Sequence, residues 1–421
     1  MSPVRPRVTV VGRRSDAEHF ALRDFLTRIA QPFHWLEAGS PEADEAIAAH
    51  AAQGLTLPVL IDGDQVTAEV RVRELARAWG MDRPPAHVEY DMVIVGAGPA
   101  GLAAAVYAAS DGLSTLILEH DVPGGQASHT SLIENFFGFP GGIGGAELAR
   151  LAGRQAERFG AELTLMRGVT GSRRAPDGRF WVEVEGGHEI RARVALVAPG
   201  MVWRRLDVAG IDELTGRGVY YGAGRSEAAS CGGDEVIVVG AGNSAGQAVM
   251  HLADANARVT MVVRGDRLGK TMSDYLVRRI ERHPLIDVRL RTQVLAVHTR
   301  DDTLAGVTIA GADDARERRA ARALFLCIGG RPRTGWTAAA GVRTDRAGYI
   351  LTGPDLLDAG QRPADWPLLR DPLALETSVP GLFAAGDARH GSTKRVAGAV
   401  GEGAMAVALA HRRLDELSLG A

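Results

Sequence analysis

Three glycines and one acid are the first residues whose spacing carries chemical meaning. Gly96, Gly98 and Gly101 follow the apolar run Met92 to Val95 with the spacing G-x-G-x-x-G. Placed after a strand, such a turn serves a dinucleotide. The first glycine permits the tight bend, the second lets a pyrophosphate reach the backbone, and the third lets helix and strand pack closely. The helix expected over Pro99 to Asp111 begins with Pro99 and Ala100 and aims its free N–H groups and positive dipole end at the phosphates. A second apolar run, Thr115 to Leu118, ends in Glu119. Glu119 lies 23 positions after Gly96 (119 − 96), where a carboxylate holds a ribose hydroxyl. This set suits FAD.

The pattern returns at Asp234 to Arg264 with Gly240, Gly242 and Gly246, and with Asn243, Ser244 and Ala245 opening the helix. It differs at one informative place. Arg264 lies 24 positions after Gly240 (264 − 240), where the first copy carries an acid. An arginine there pairs with a 2′-phosphate that a carboxylate would repel. Arg267 and Lys270 add positive charge nearby, so the second turn suits NADPH.

Around these turns the chain has 421 residues, room for two to three domains. Hydrophobic residues make up 46% and charged residues 24%, an ordinary balance for globular protein. A net charge of −3 gives no reason to expect nucleic acid or an acidic membrane surface as partner. No apolar run reaches membrane-spanning length and no signal-peptide layout opens the chain, so a cytoplasmic protein is expected. The two cysteines, Cys231 and Cys327, stand 96 apart (327 − 231), and no C-x-x-C occurs. That argues against a cysteine-rich metal site and a local redox dithiol, and no metal is expected.

Residues 1–82 read as a separate unit with the order β-α-β-α-β-β-α: a strand at Arg7 to Gly12, a helix at Asp16 to Gln31, two strands about the Asp62-Gly63 turn, and a closing helix at Val70 to Trp79. The order, with Leu57-Pro58-Val59, resembles the glutaredoxin and thioredoxin fold. The redox motif of that fold would follow the first strand, but Gly12 to Asp16 holds no cysteine. A recognition module or a plain packing domain both fit. Residues 83–88, with Pro84 and Pro85, form a stiff linker.

From Glu89 onward the chain resembles the thioredoxin reductase family of flavoproteins. Gly124-Gly125-Gln126 matches the segment that lies along the flavin in that family, and Ile133-Glu134-Asn135 with Gly138-Phe139-Pro140 matches the next flavin-contacting segment. Gln126 and Asn135 offer donors and acceptors to the flavin's imide edge. Leu163 to Thr170 and Phe180 to Glu185 read as hairpin strands, with Val169 at a position near the family's adenine. Ala195 to Gly200, containing Ala198 and Gly200, matches the strand that ends the first flavin segment, and Gly386-Asp387 matches the family's Gly-Asp pair at the ribityl and phosphate region. Lys394-Arg395-Val396 stands where the family places a basic segment against the flavin ring. The resemblance implies an α/β fold of two Rossmann-like domains, the NADPH domain inserted in the FAD domain, beside the N-terminal thioredoxin-like unit. The expected spans are 89–203 and 325–421 for FAD and 204–324 for NADPH. It also implies a homodimer.

One part of the family pattern is broken. Where its redox pair should stand, Gly222 and Arg225 replace the two cysteines. Disulfide exchange needs an attacking thiolate and a resolving partner, and neither residue provides one. Arg225 is a candidate for binding an anionic substrate or steadying reduced flavin, or it is a surface residue at a helix start. Three functions remain: transfer from NADPH through FAD to a non-dithiol acceptor such as a quinone, an electron-transfer protein or a small molecule; disulfide reduction with a partner's cysteines; or a nucleotide-bound sensor or scaffold.

Overall fold

The computed structural model describes residues 7–50, 53–222, 225–228, 230–270 and 272–419. Valines on both faces of Val8–Gly12 (β1) bury it at the centre of an N-terminal sheet of order β2-β1-β3-β4, with Phe33–Glu37 (β2) parallel to it and Val59–Asp62 (β3) antiparallel. Gln65–Thr67 (β4) closes a hairpin on β3, and the Leu57–Pro58 peptide is cis. Helices Ala17–Arg28 (α1), Pro41–Ala49 (α2) and Val72–Ala78 (α3) accompany the sheet. The Asp16 carboxylate accepts from the N–H groups of Glu18 and His19 and so starts α1. Leu22, Phe25 and Leu26 of α1 pack on Val8 and Val10, and Val122 of the next unit joins that core.

The second sheet runs β7-β6-β5-β10-β9-β8, with Leu382–Ala384 (β21) paired to β10. Its strands are Glu89–Val95 (β5), Thr115–Leu118 (β6), Glu162–Thr164 (β7), Val169–Arg174 (β8), Phe180–Val184 (β9) and His188–Val197 (β10). Helix Pro99–Ser110 (α4) joins β5 to β6, and Gly145–Arg158 (α5) precedes β7. Helix α4 is alanine-rich and buried on most sides, so the long helix Val396–Leu419 (α9) can lie almost in backbone contact with it. A Cβ at Gly403 of α9 would stand 2.1 Å from the Ala100 carbonyl oxygen.

The inserted lobe holds a parallel sheet of order β12-β19-β13-β14-β15. Its strands are Val219–Tyr221 (β12), Glu235–Val239 (β13), Arg258–Val262 (β14), Ile286–Arg289 (β15) and Ala323–Leu326 (β19). A second layer is made by Gln293–Arg300 (β16), Thr303–Ala310 (β17) and Arg316–Ala320 (β18). Helices Arg225–Ala228 (α6), Asn243–Asp254 (α7) and Asp274–Arg282 (α8) belong to this lobe. The ribbon of Met201–Trp203 (β11) with Gly330–Pro332 (β20) connects it to the second sheet.

Two local readings change. Residues Leu163 to Thr170 do not form one hairpin strand. Glu162–Thr164 runs parallel to β6, and the chain then breaks at Met166, whose φ is 59°, before β8 begins. The inserted sheet also reaches past residue 324. Phe325 and Leu326 pair with β12 and β13, because Ala323–Leu326 is a fully buried apolar strand that only a central parallel position can cover.

Candidate active site: one cavity shared by two glycine-rich turns and helix α1

The first turn divides its three glycines by what surrounds them. At Gly96, with φ at 106°, a Cβ would lie 2.3 Å from the Ala198 carbonyl oxygen. At Gly101 it would lie 1.8 Å from the Gly96 carbonyl oxygen. At Gly98 it would meet nothing within 4 Å. Two glycines are therefore demanded by the protein's own packing, and the third keeps space clear for a ligand. Gly98 caps α4 without a side-chain hydrogen bond, so the helix's first N–H groups await an acceptor. This is the arrangement a bound pyrophosphate needs, and FAD fits it.

Glu119 follows β6 and is 5% exposed. Its Oε2 accepts from the Ala97 N–H at 2.8 Å and its Oε1 from the Asp121 N–H at 3.0 Å. His120 Nδ1 lies 2.6 Å from Oε1. Burial works against the charge, yet His120 and the two backbone donors hold the carboxyl below its usual range. Glu119 is thus a fixed carboxylate in the cavity wall.

The second turn repeats the logic with one exchange. A Cβ at Gly240 would stand 2.3 Å from the Cys327 carbonyl oxygen, while Gly242 is open. Ala245 takes the place of the third glycine and is fully buried. Helix α7 also begins without a side-chain cap. Asn243 accepts from the Ser273 N–H at 2.7 Å, which ties the turn to the start of α8. Arg264, Arg267 and Lys270 are exposed beyond the carboxyl end of β14.

A single cavity of about 780 Å³ joins the two turns. Gly98, Pro99, Ala100 and Glu119 line it with Gly125, Gln126, Asn135, Ala198, Gly200, Gly386, Asp387, Lys394, Arg395 and Val396. Asn243 and Ser244 reach it from the inserted lobe. Gln126 is held by a bond from its Nε2 to the Met201 carbonyl at 3.1 Å. Burial raises the Asp387 carboxyl's pKa and lowers that of Lys394. Lys394 donates to the Asp387 carbonyl and sits 4.2 Å from the centre of the Tyr349 ring.

Other expected residues stand elsewhere. Gly96, Gly101, Gly240 and Ala245 support the turns from within the packing, and Gly242, though open, does not line the cavity. Val169 lines a separate apolar cavity of about 30 Å³ where β8 pairs with β9. Arg225 opens α6, and its side chain lies outside the described residues. Among the described residues no group of three or more His, Cys, Asp or Glu side chains is placed to hold a metal.

The cavity contains residues that spacing did not disclose. Phe20, Asp24 and Arg28 enter it from α1, and His129, Trp203, Tyr221 and Gly222 face them. His129 Nδ1 lies 3.5 Å from Asp24 Oδ1. Arg28 pairs with Asp121 at 2.8 Å and Asp24 at 3.5 Å, and its Nε donates to Ser128 Oγ at 3.1 Å. Burial opposes the charges of Asp24 and Arg28, but His129 and Arg28 lower the Asp24 pKa, and Asp121 and Asp24 raise that of Arg28. His129 meets Trp203 edge to face, with ring centres 6.0 Å apart. One signal was available: Asp24 and Arg28 fall four apart on a helix (28 − 24), on one face. Nothing local said that this face meets residue 129.

The family described as pyridine nucleotide-disulphide oxidoreductase matches residues 90–403, which leaves the N-terminal unit outside the match. The thioredoxin reductase of Bacillus subtilis (strain 168) is 32% identical over 330 residues, 78% of this chain and 96% of that protein. The Lactococcus lactis thioredoxin reductase structure, in its FR conformation, superposes with a TM-score of 0.68 at 29% identity over 78% of this chain and 99% of that one. The T. acidophilum thioredoxin reductase structure gives 0.67 at 28% identity over 77% and 99%.

Proposed function

The chain belongs to the pyridine nucleotide-disulphide oxidoreductase family, and from that premise we propose that it carries electrons from NADPH through FAD to an acceptor that is not a dithiol. It is an NAD(P)H-dependent FAD oxidoreductase of the thioredoxin reductase type. FAD held there would supply two-electron hydride chemistry between the nicotinamide and the acceptor. The protein's share is positioning. The uncapped start of α4 and the open Gly98 would receive the pyrophosphate, and Glu119 the ribose. Gln126, Asn135 and the Lys394–Val396 segment bound the space for the ring. Arg264, Arg267 and Lys270 are exposed where a 2′-phosphate would lie.

The observation that carries the choice of acceptor is the place of sulfur. Gly222 lines the cavity where the family's first redox cysteine would be expected. Cys231 and Cys327 are both free and buried, and neither lines the cavity. The N-terminal unit fits a thioredoxin-like module that has lost its thiols, an assignment supported by its element order and its strand order β2-β1-β3-β4. Homodimer formation and residence in the cytoplasm complete the reading. Among the described residues no helix is long and apolar enough to cross a membrane.

Anaerobic titration tests the proposal. NADPH is expected to bleach the bound flavin, and a quinone or ferricyanide to restore its colour. Thioredoxin and aromatic disulfides are expected to leave it bleached. Recovery of colour with a disulfide alone overturns the reading.

A further inference from the structure

We propose that helix α1 makes one wall of a chamber for a small quinone-type acceptor, and that His129, oriented by Asp24, gives that acceptor a proton. The inference rests on the reading above and names the substrate class for the same site.

The first observation is the roof. Phe20, Asp24 and Arg28 of α1 line a cavity whose other walls come from the two lobes. The helix is fastened on both sides. Toward the inserted lobe, Arg23 Nε donates to Glu227 Oε1 at 3.1 Å and the Phe20 and Tyr220 rings lie 5.0 Å apart. Toward the second sheet, Arg28 pairs with Asp121 at 2.8 Å. A protein acceptor would have to lift α1 and break the buried Arg23–Glu227 pair. A small molecule needs no such displacement.

The second observation is the space beside Gly222. A first side-chain carbon at that position would stand 3.6 Å from His129 Cβ and 3.7 and 3.9 Å from two atoms of the Trp203 ring. Those are ordinary contact distances, so a ligand edge that reaches this point touches both Trp203 and His129. Tyr221 and Phe20 add aromatic wall.

The third observation is the pair itself. His129 presents Nδ1 to Asp24, so the proton that its imidazolium form can give a ligand is the one on Nε2. Asp24 comes from the N-terminal unit and His129 from the turn that carries Gln126. The pair therefore forms only when α1 is seated, and Asp24 is a positioning residue.

Reduction of a quinone to a hydroquinone takes two electrons and two protons. NADPH supplies a hydride, which is both electrons and one proton, and leaves as NADP⁺. The second proton leaves His129 Nε2 as its N–H bond breaks, and an O–H bond forms on the acceptor. Solvent then returns a proton to the imidazole.

The experiment uses holoenzyme reduced anaerobically with NADPH, or with dithionite, and mixed with menadione or ferricyanide. Menadione takes protons and ferricyanide does not. The ratio of the two reoxidation rates is expected to fall at least about tenfold in His129→Gln and in Asp24→Asn, a modest share of what general acid catalysis contributes. Menadione binding to oxidised enzyme without NADPH, read by calorimetry, is expected to weaken about tenfold in Trp203→Leu. An unchanged rate ratio in both variants, unaltered menadione binding in Trp203→Leu, or a ferredoxin or flavodoxin that reoxidises the enzyme as fast as menadione overturns the proposal. If NADPH fails to bleach the wild-type flavin, the proposed function falls. The dithionite and calorimetric arms still decide the chamber.

Discussion

Arg23 and Glu227 meet at 3.1 Å across the seam between α1 and the inserted lobe, with side chains only 1% and 4% exposed. Around them, Arg23 lies 4.6 Å over the Trp35 ring and donates through Nη2 to the Arg14 carbonyl at 3.1 Å. The two charges share one buried seam, so removing one leaves the other buried without its ion-pair partner. Arg23→Ala is expected to cost about 3–5 kcal/mol of stability. The double variant Arg23→Met, Glu227→Leu removes both charges and is expected to regain most of that loss. Urea unfolding of the two variants measures both values. Equal losses in the single and double variants would show that the seam does not depend on the pair.

The two kinds of glycine in the first turn separate folding from cofactor binding. Gly101→Ala forces a Cβ to 1.8 Å from the Gly96 carbonyl oxygen and is expected to destabilise the fold by about 1–3 kcal/mol. Gly98→Ala meets no protein atom within 4 Å, so the flavin-free protein should unfold at the wild-type temperature. Its methyl group occupies the approach of the pyrophosphate, and the purified protein should carry much less FAD. The ratio of flavin to protein absorbance, with thermal unfolding of the apoprotein, distinguishes the two outcomes.

What could be read from the residues alone was what lies within one turn of chain. Thr115–Leu118 forms the strand expected of it, and α4 begins at the expected Pro99, because a β-turn-α unit states its geometry in consecutive residues. The end of the inserted sheet was harder. Ala323–Leu326 is as apolar as the strands of the flavin-side sheet, and only its pairing with β12 and β13 assigns it. The Asp24–His129 pair was not legible at all. The two residues stand 105 positions apart (129 − 24) on different units, and their meeting depends on how α1 docks. Val169, which a family position suggested for a ligand, lines a small apolar cavity that only the pairing of β8 with β9 discloses.

Arg264 tests the coenzyme preference. It is exposed at the carboxyl side of β14 with Arg267 and Lys270 close in sequence, where a charge can meet a 2′-phosphate without displacing any packed group. A hydrogen bond to a charged group contributes about 1.5–3 kcal/mol, which corresponds to roughly ten- to a hundredfold in affinity. Arg264→Ala is therefore expected to raise the NADPH concentration for half-maximal flavin reduction by that factor and to leave the NADH value nearly unchanged. Stopped-flow bleaching with both coenzymes gives the comparison. Equal bleaching of the wild type by NADPH and NADH would remove the phosphate site from that arginine.

The two thiols provide the last test. Burial pushes Cys231 up to about 11 and Cys327 to about 12. The thiolate is the reactive form, so at pH 8 only about a thousandth of Cys231 is available to attack a disulfide, and less of Cys327. Aromatic disulfide added to the native enzyme should titrate almost no thiol over minutes, and after unfolding in guanidinium it should titrate both. The sign of the linkage follows. A thiol whose folded pKa is raised stabilises the fold fully below its unfolded value near about 8.5, and that contribution fades as pH rises toward 11. Cys231→Ser and Cys327→Ser should therefore flatten the decline in stability between those limits. Rapid native titration of either cysteine, with disulfide turnover that the serine variants abolish, would return sulfur to the reaction.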